Sequence, residues 1–172
     1  MKTRIFLFAA SLCCFFLTQN LDAQVSSVNY QVKYDTAECR YDAYFIVNAG
    51  SAISAAHRTQ FNAQFTLIVP TGDSLRIVAN HNPLKVIDGL PISWGVTSFT
   101  RAPGAQPGSD FYSVVPSLAS TSRYNLGDVD SGDTIKIFSF TVDNNIQCGS
   151  GIRIYENGVD PDSGASGMGG SD

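Results

Sequence analysis

The sequence predicts an all-β protein, an antiparallel β-sandwich of about eight strands, on three observations. Apolar residues recur at every second position in several short runs. Those runs are separated by clusters rich in Gly, Pro, Asp and Asn. No stretch carries a sustained 3.6-residue apolar stripe, and even "AISAAHRTQFNAQF", with an Ala-rich start, alternates in its second half.

"VNYQVKYD" (28–35) is an N-terminal strand. "CRYDAYFIV" (39–47) puts Cys39, Tyr41, Ala43, Phe45 and Val47 on one face, and "FNAQFTLIV" (61–69) does the same with Phe61, Ala63, Phe65, Leu67 and Val69. "SLRIVA", "ISWGVTSF", "FYSVV" and "GIRIYE" are shorter strands. "TIKIFSFTV" (134–142) alternates Ile135, Ile137, Ser139 and Thr141 against Lys136, Phe138, Phe140 and Val142. "PTGDS", "APGAQPGSD", "GDVDSGD" and "DNN" are the turns between them. Phe45, Val47, Phe65, Leu67, Val69, Phe138 and Phe140 are the expected core.

The chain opens with basic "MKTR", an apolar run "IFLFAASLCCFFL", and polar "TQNLDA" ending on small Ala23. This three-part pattern predicts a cleaved secretory signal peptide over residues 1–23. A run of thirteen residues falls short of the roughly 20 that a membrane helix needs, and no later segment is apolar enough to cross a membrane. The remaining 24–172 is one domain's length, divided into a sandwich at 24–158 and a flexible Gly/Asp-rich tail or inter-module junction at 159–172. Loss of Lys2, Arg4 and Asp22 makes the net charge, −4 for the whole chain, one unit more negative. An acidic chain of this kind is a poor nucleic-acid binder.

Of the four cysteines, Cys13 and Cys14 leave with the leader. Cys39 and Cys148 are then expected to form a disulfide in an exported chain. Clustered aspartates in "DVDSGD" and "DPDSG" nominate Asp128, Asp130, Asp133, Asp160 and Asp162 as calcium ligands, because calcium takes six to eight carboxylate and carbonyl oxygens. The EF-hand pattern is not met: Gly132 stands where an oxygen ligand belongs, and no twelfth-position Glu follows. The competing reading is ordinary Asp-Gly turn chemistry. Trp94, Tyr112 and Tyr124, with Tyr44, are the aromatic candidates for stacking on a glycan, against the competing expectation that such rings build the core. No nucleophile elbow, zinc motif or phosphate loop occurs, so the expectation is a non-enzymatic protein.

"GDTIKIFSFTV" (132–142) and "AQFTLIVPTGDSLRIV" (63–78) resemble strands of cohesin-like and carbohydrate-binding-like sandwiches, and "IRIYENGVDPDSGASGMGGSD" resembles a module junction in large secreted surface proteins of Bacteroidetes-type bacteria. The resemblance implies an immunoglobulin- or cohesin-like fold and a cell-surface, adhesive or gliding- and sorting-associated role. It also implies that "DTA", "DSL" and "DTI" are O-glycosylation sequons, with Thr36, Ser74 and Thr134 as acceptors. Together these readings give an extracellular structural or adhesive module, such as a filament subunit, associating with itself or with other surface proteins through edge strands. The alternative is a glycan-binding domain.

Overall fold

The computed structural model describes residues 25–52, 59–60, 63–81, 85–86, 93–117, 124–125, 129–143 and 151–168. The expected leader, Phe61, Asp128 and Cys148 lie outside them. Eleven strands run in chain order: β1 (Ser27–Asp35), β2 (Arg40–Ala49), β3 (Thr59–Gln60), β4 (Phe65–Pro70), β5 (Ser74–Asn80), β6 (Lys85–Val86), β7 (Ser93–Arg101), β8 (Ser109–Ser117), β9 (Tyr124–Asn125), β10 (Thr134–Asp143) and β11 (Arg153–Ile154). Eight of them form two antiparallel four-stranded sheets, β1-β2-β10-β5 and β11-β4-β8-β7. The two-residue strands β3, β9 and β6 form a small third sheet that the sequence did not announce. There is no helix among the described residues.

The two large sheets close on one core. Tyr41, Ala43 and Phe45 from β2 meet Phe65, Leu67 and Val69 from β4, with Phe138 and Phe140 from β10 between them. All seven residues expected in the core are buried. Val47 belongs to a smaller cluster with Ala52 and Val129 at one end of the sandwich. Cys39 departs from the expected face: it is exposed in the β1–β2 turn with φ 49°. There Asp35 Oδ1 accepts hydrogen bonds from the amides of Ala37 and Glu38, which fixes the turn.

Strand β10 corrects the simple alternation. A bulge between Lys136 and Phe138 shifts its register on β2. Ile137 and Phe138 both enter the core, at 1% and 0% exposure. The extra residue also moves Lys136 and Ser139 to the same outer face, where strict alternation would oppose them.

The tail is the larger correction. Residues 155–168 hold only turns, as their composition implied, but they pack. Met168 is fully buried against Ile68 and Phe111 on the outer face of the second sheet, with Tyr155 and Ala165 beside it. The Ala105 amide donates to Ser166 O at 2.9 Å. Gly167 has φ +83°, and a Cβ there would meet the Gly104 nitrogen at 2.8 Å. That glycine is required by close approach, not by flexibility. This face of the sheet needed a cover because β4 is apolar on both sides.

Candidate functional site

Asp130 and Asp133 are exposed and close a turn on themselves: the Asp130 amide donates to Asp133 Oδ2 at 2.8 Å. Asp160 is buried, and its two carboxylate oxygens hold the Arg153 guanidinium in a two-pronged pair while Oδ2 also accepts from the Glu156 amide at 2.8 Å. Asp162 is exposed, its carbonyl capping Ala165. Among the described residues no three His, Cys, Asp or Glu side chains gather as a metal site. The calcium expectation is therefore corrected for Asp160, whose oxygens are already taken by an arginine. The hydrogen bonds from Arg153 hold the Asp160 carboxyl below its ordinary range against the opposing effect of burial.

Of the aromatic candidates, Trp94 and Tyr112 are corrected. Trp94 is 4% exposed and packs edge-on against Phe65 at 5.6 Å. Tyr112 is 7% exposed and donates its hydroxyl to Asp73 O at 2.9 Å. Both are core residues, and neither offers a ring face to a sugar. Tyr124 pairs through its backbone with Gln60 and Val86. Tyr44 is half-buried beneath Lys33, whose Nζ lies 5.4 Å from its ring centre.

Thr36, Ser74 and Thr134 are exposed at a turn or a strand start. Cys39 carries a free, exposed thiol. Its expected partner Cys148 lies outside the described residues, five positions past the β10 terminus. That terminus lies at the Cys39 end of the sheet, since Phe140 pairs with Tyr41.

Sequence reasoning missed one polar cluster. On the outer face of the first sheet Asp42, 4% exposed, stands opposite Ser139, which is fully buried. Lys136 Nζ lies 2.5 Å from Asp42 Oδ2, and Arg40 Nε 3.4 Å from Oδ1. The Ser139 hydroxyl donates to Asp42 Oδ1 at 2.6 Å, so His81 Nε2, 2.7 Å from that hydroxyl, carries its proton and donates. Burial pushes the Asp42 carboxyl up, but the hydrogen bonds of Lys136 and Ser139 and the charges of Lys136 and Arg40 bring it below its usual range. Burial and the Lys136 charge lower His81. The cluster resembles a catalytic constellation only in composition. Ser139 gives its proton to the aspartate, not to the histidine, and is closed to solvent, so no nucleophile is presented. Its role is to neutralise a buried carboxylate and to tie β2, β10 and the end of β5 together.

A groove of about 490 Å3 opens between β1 and the β4–β11 edge, lined by Tyr30, Gln64, Phe65, Thr66, Ile154, Tyr155 and Asn157. Exposed large apolar side chains gather at the sandwich margins: Val28 and Tyr30 on β1, Val78 on β5, and Val96 and Phe99 on β7. No helix of the described residues is long and apolar enough to cross a membrane. Comparison of the chain with protein-family models, curated proteins and solved structures gave no match. The class defined by the fold is thus an all-β sandwich carrying a packed strap over residues 155–168.

The strap gives a measurable expectation. Met168→Ala removes a fully buried side chain, at a cost of about 2–5 kcal/mol if the site does not collapse. Amide exchange across 156–168 should be slow in dilute protein without calcium and should accelerate in the variant. Free-peptide exchange rates in the wild-type chain would contradict the packed strap.

Proposed function

We propose that this protein is an extracellular, non-enzymatic structural or adhesive module that associates with further copies of itself through the β1 edge. The observation that carries this reading is a contrast among edges. Strand β5 is irregular between Ala79 and Ile77, and β7 between Val96 and Ser98. Bulged edges resist further pairing. Strand β1 runs regularly from Val28 to Asp35, pairs with β2 on one side, and has no strand on its other side among the described residues. Val28 and Tyr30 are exposed there at 39% and 36%. A long, regular, partly apolar edge is a template for strand addition. The signal-like leader and the cohesin-like strand pattern support the extracellular setting, and the exposed Thr36, Ser74 and Thr134 suit glycan attachment.

Light scattering over a concentration series tests the reading. A mass that rises with concentration is expected. A plateau at twice the chain mass would mean β1 pairs with β1 across a two-fold axis, and continued growth would mean head-to-tail assembly. A single-chain mass throughout, up to millimolar protein, would overturn the assembly.

A further inference from the structure

The groove beside β1 shares Tyr30 with the β1 edge, but Gln64, Thr66, Ile154, Tyr155 and Asn157 lie on other elements and give it a chemistry of its own. Its origin is a mismatch of strand lengths. Strand β4 runs from Phe65 to Pro70, but β11 covers only Ile68 and Leu67, followed by one bond from the Tyr155 amide to Thr66 O at 2.8 Å. The chain then turns away at Glu156, whose carbonyl accepts from the amides of Val159 and Asp160. A notch remains along the first residues of β4, and Tyr30 of β1 forms its far wall.

The lining combines two tyrosine rings, two side-chain amides and a threonine hydroxyl over an apolar floor of Phe65 and Ile154. None of these groups is charged at neutral pH. Burial pushes the Tyr30 phenol up, away from ionisation. Arg153 and Asp160, on the segment that carries Tyr155, satisfy each other.

The site is also held before any ligand arrives. The Tyr30 ring stands edge-on to Phe65 at 4.3 Å and leans on Phe45 at 4.9 Å. The Tyr155 hydroxyl donates to Pro161 O at 3.2 Å. The Gln64 amide donates to Thr66 Oγ1 at 3.2 Å and Ser113 Oγ at 3.4 Å. Fixed rings and a fixed Gln64 amide reduce the ordering cost of binding.

From this geometry we propose that the groove between Tyr30 and Tyr155 binds a neutral saccharide chain. A sugar presents C–H faces that pack on rings, and hydroxyls that both donate and accept. Gln64 Oε1 accepts, its two N–H groups being held by Thr66 and Ser113, and the Asn157 amide answers in both directions. An anionic polymer would require cations in the lining, and the described lining residues include none. A purely apolar ligand would cover the Gln64 side-chain carbonyl and the Asn157 amide without pairing them. The volume of about 490 Å3 lies within the range of about 300–1,000 Å3 usual for ligand pockets.

The test uses the whole chain at a concentration where light scattering gives a single-chain mass. Cellohexaose, chitohexaose and maltohexaose are titrated by calorimetry, with polygalacturonate as the charged comparison. At least one neutral hexaose should bind, and Tyr30→Ala and Asn157→Ala should each weaken it about tenfold or more, the loss expected for about 1.4 kcal/mol. Asn157 is exposed, so its variant keeps the fold even if Tyr30→Ala loosens β1, and an unchanged melting temperature verifies that. Failure of all three hexaoses at millimolar concentration overturns the proposal. So does binding that ignores both variants, or equal binding of polygalacturonate. Protection of residues 64–66 that grows with protein concentration, without any hexaose binding, would give the groove to a neighbouring copy and overturn it too.

Discussion

Phe65→Ala is expected to lower the stability of the fold by about 3–5 kcal/mol, the cost of deleting a fully buried aromatic side chain and leaving its cavity. Phe65 is 1% exposed and sits where four rings converge: Tyr30 at 4.3 Å, Phe138 at 5.4 Å, Trp94 at 5.6 Å and Phe45 at 5.7 Å between centres. Those rings come from β1, β10, β7 and β2, so the space cannot collapse without moving both sheets. Domains of this size are stable by only about 5–15 kcal/mol, and the loss would be a large part of the total. The chain's single tryptophan is one of the four rings, so its fluorescence reports the transition directly. The urea midpoint should fall with an unchanged slope. Phe99→Ala, at a ring 42% exposed, serves as the comparison and should cost far less. A loss under about 1 kcal/mol at Phe65, typical of a surface substitution, would mean that the sheets do not meet there.

Asp42→Ala should be the second most damaging change. It removes the acceptor of the Ser139 hydroxyl and leaves the cations of Lys136 and Arg40 facing each other. Deleting one partner of a buried ion pair costs about 3–5 kcal/mol. The side chains of Lys136 and Arg40 keep 28% and 25% of their exposure, so the lower end, about 3 kcal/mol, is expected after screening. A paired Asp42→Ala, Lys136→Met variant should recover part of the loss, because an apolar replacement of both partners removes the unpaired charge.

The same cluster fixes a dependence on pH. The folded Asp42 carboxyl titrates below its unfolded value, so its contribution is complete above the unfolded value and disappears as pH falls through the folded one. His81 is also lowered, and its unfolded form binds a proton first. Stability should therefore begin to decline as pH falls below about 6.5, the ordinary histidine value, and decline again in the acid carboxylate range. Asp160 adds to that second decline, and the strap should loosen with it. His81→Gln should remove the first step and leave the second. Stability that is flat between pH 7 and 5 in the wild-type chain would contradict the histidine's part.

The alternation of Phe45, Phe65 and Phe138 was legible in the sequence because period-two burial is a local signal, and it led to the right core residues and the right fold class. Lys136 and Ser139 were not legible as neighbours. One bulged residue, Ile137, reverses the parity between them, and nothing local marks a bulge without glycine. Met168 looks in the sequence like an isolated apolar residue in a glycine-rich tail. Its partners Ile68 and Phe111 lie far away in the chain, and only the doubly apolar run "FTLIV" hinted at a cover. Asp160 looked like a metal ligand for the same reason: its charge was visible, while the folding that turns Arg153 onto it was not. Trp94 and Tyr112 were aromatic candidates whose burial is decided by the facing sheet. The groove escaped because Tyr30, Gln64 and Tyr155 are widely separated in sequence and meet only where β11 ends short of β4.

Amide exchange of β1, followed at low and high protein concentration, decides whether its free edge pairs with another copy. The amides of residues 27–35 that face away from β2 should exchange quickly in dilute protein and become protected as the mass rises, while β5 and β7 edge amides stay unchanged. Assembly with β1 still unprotected, or with new protection confined to β5 and β7, would contradict the account.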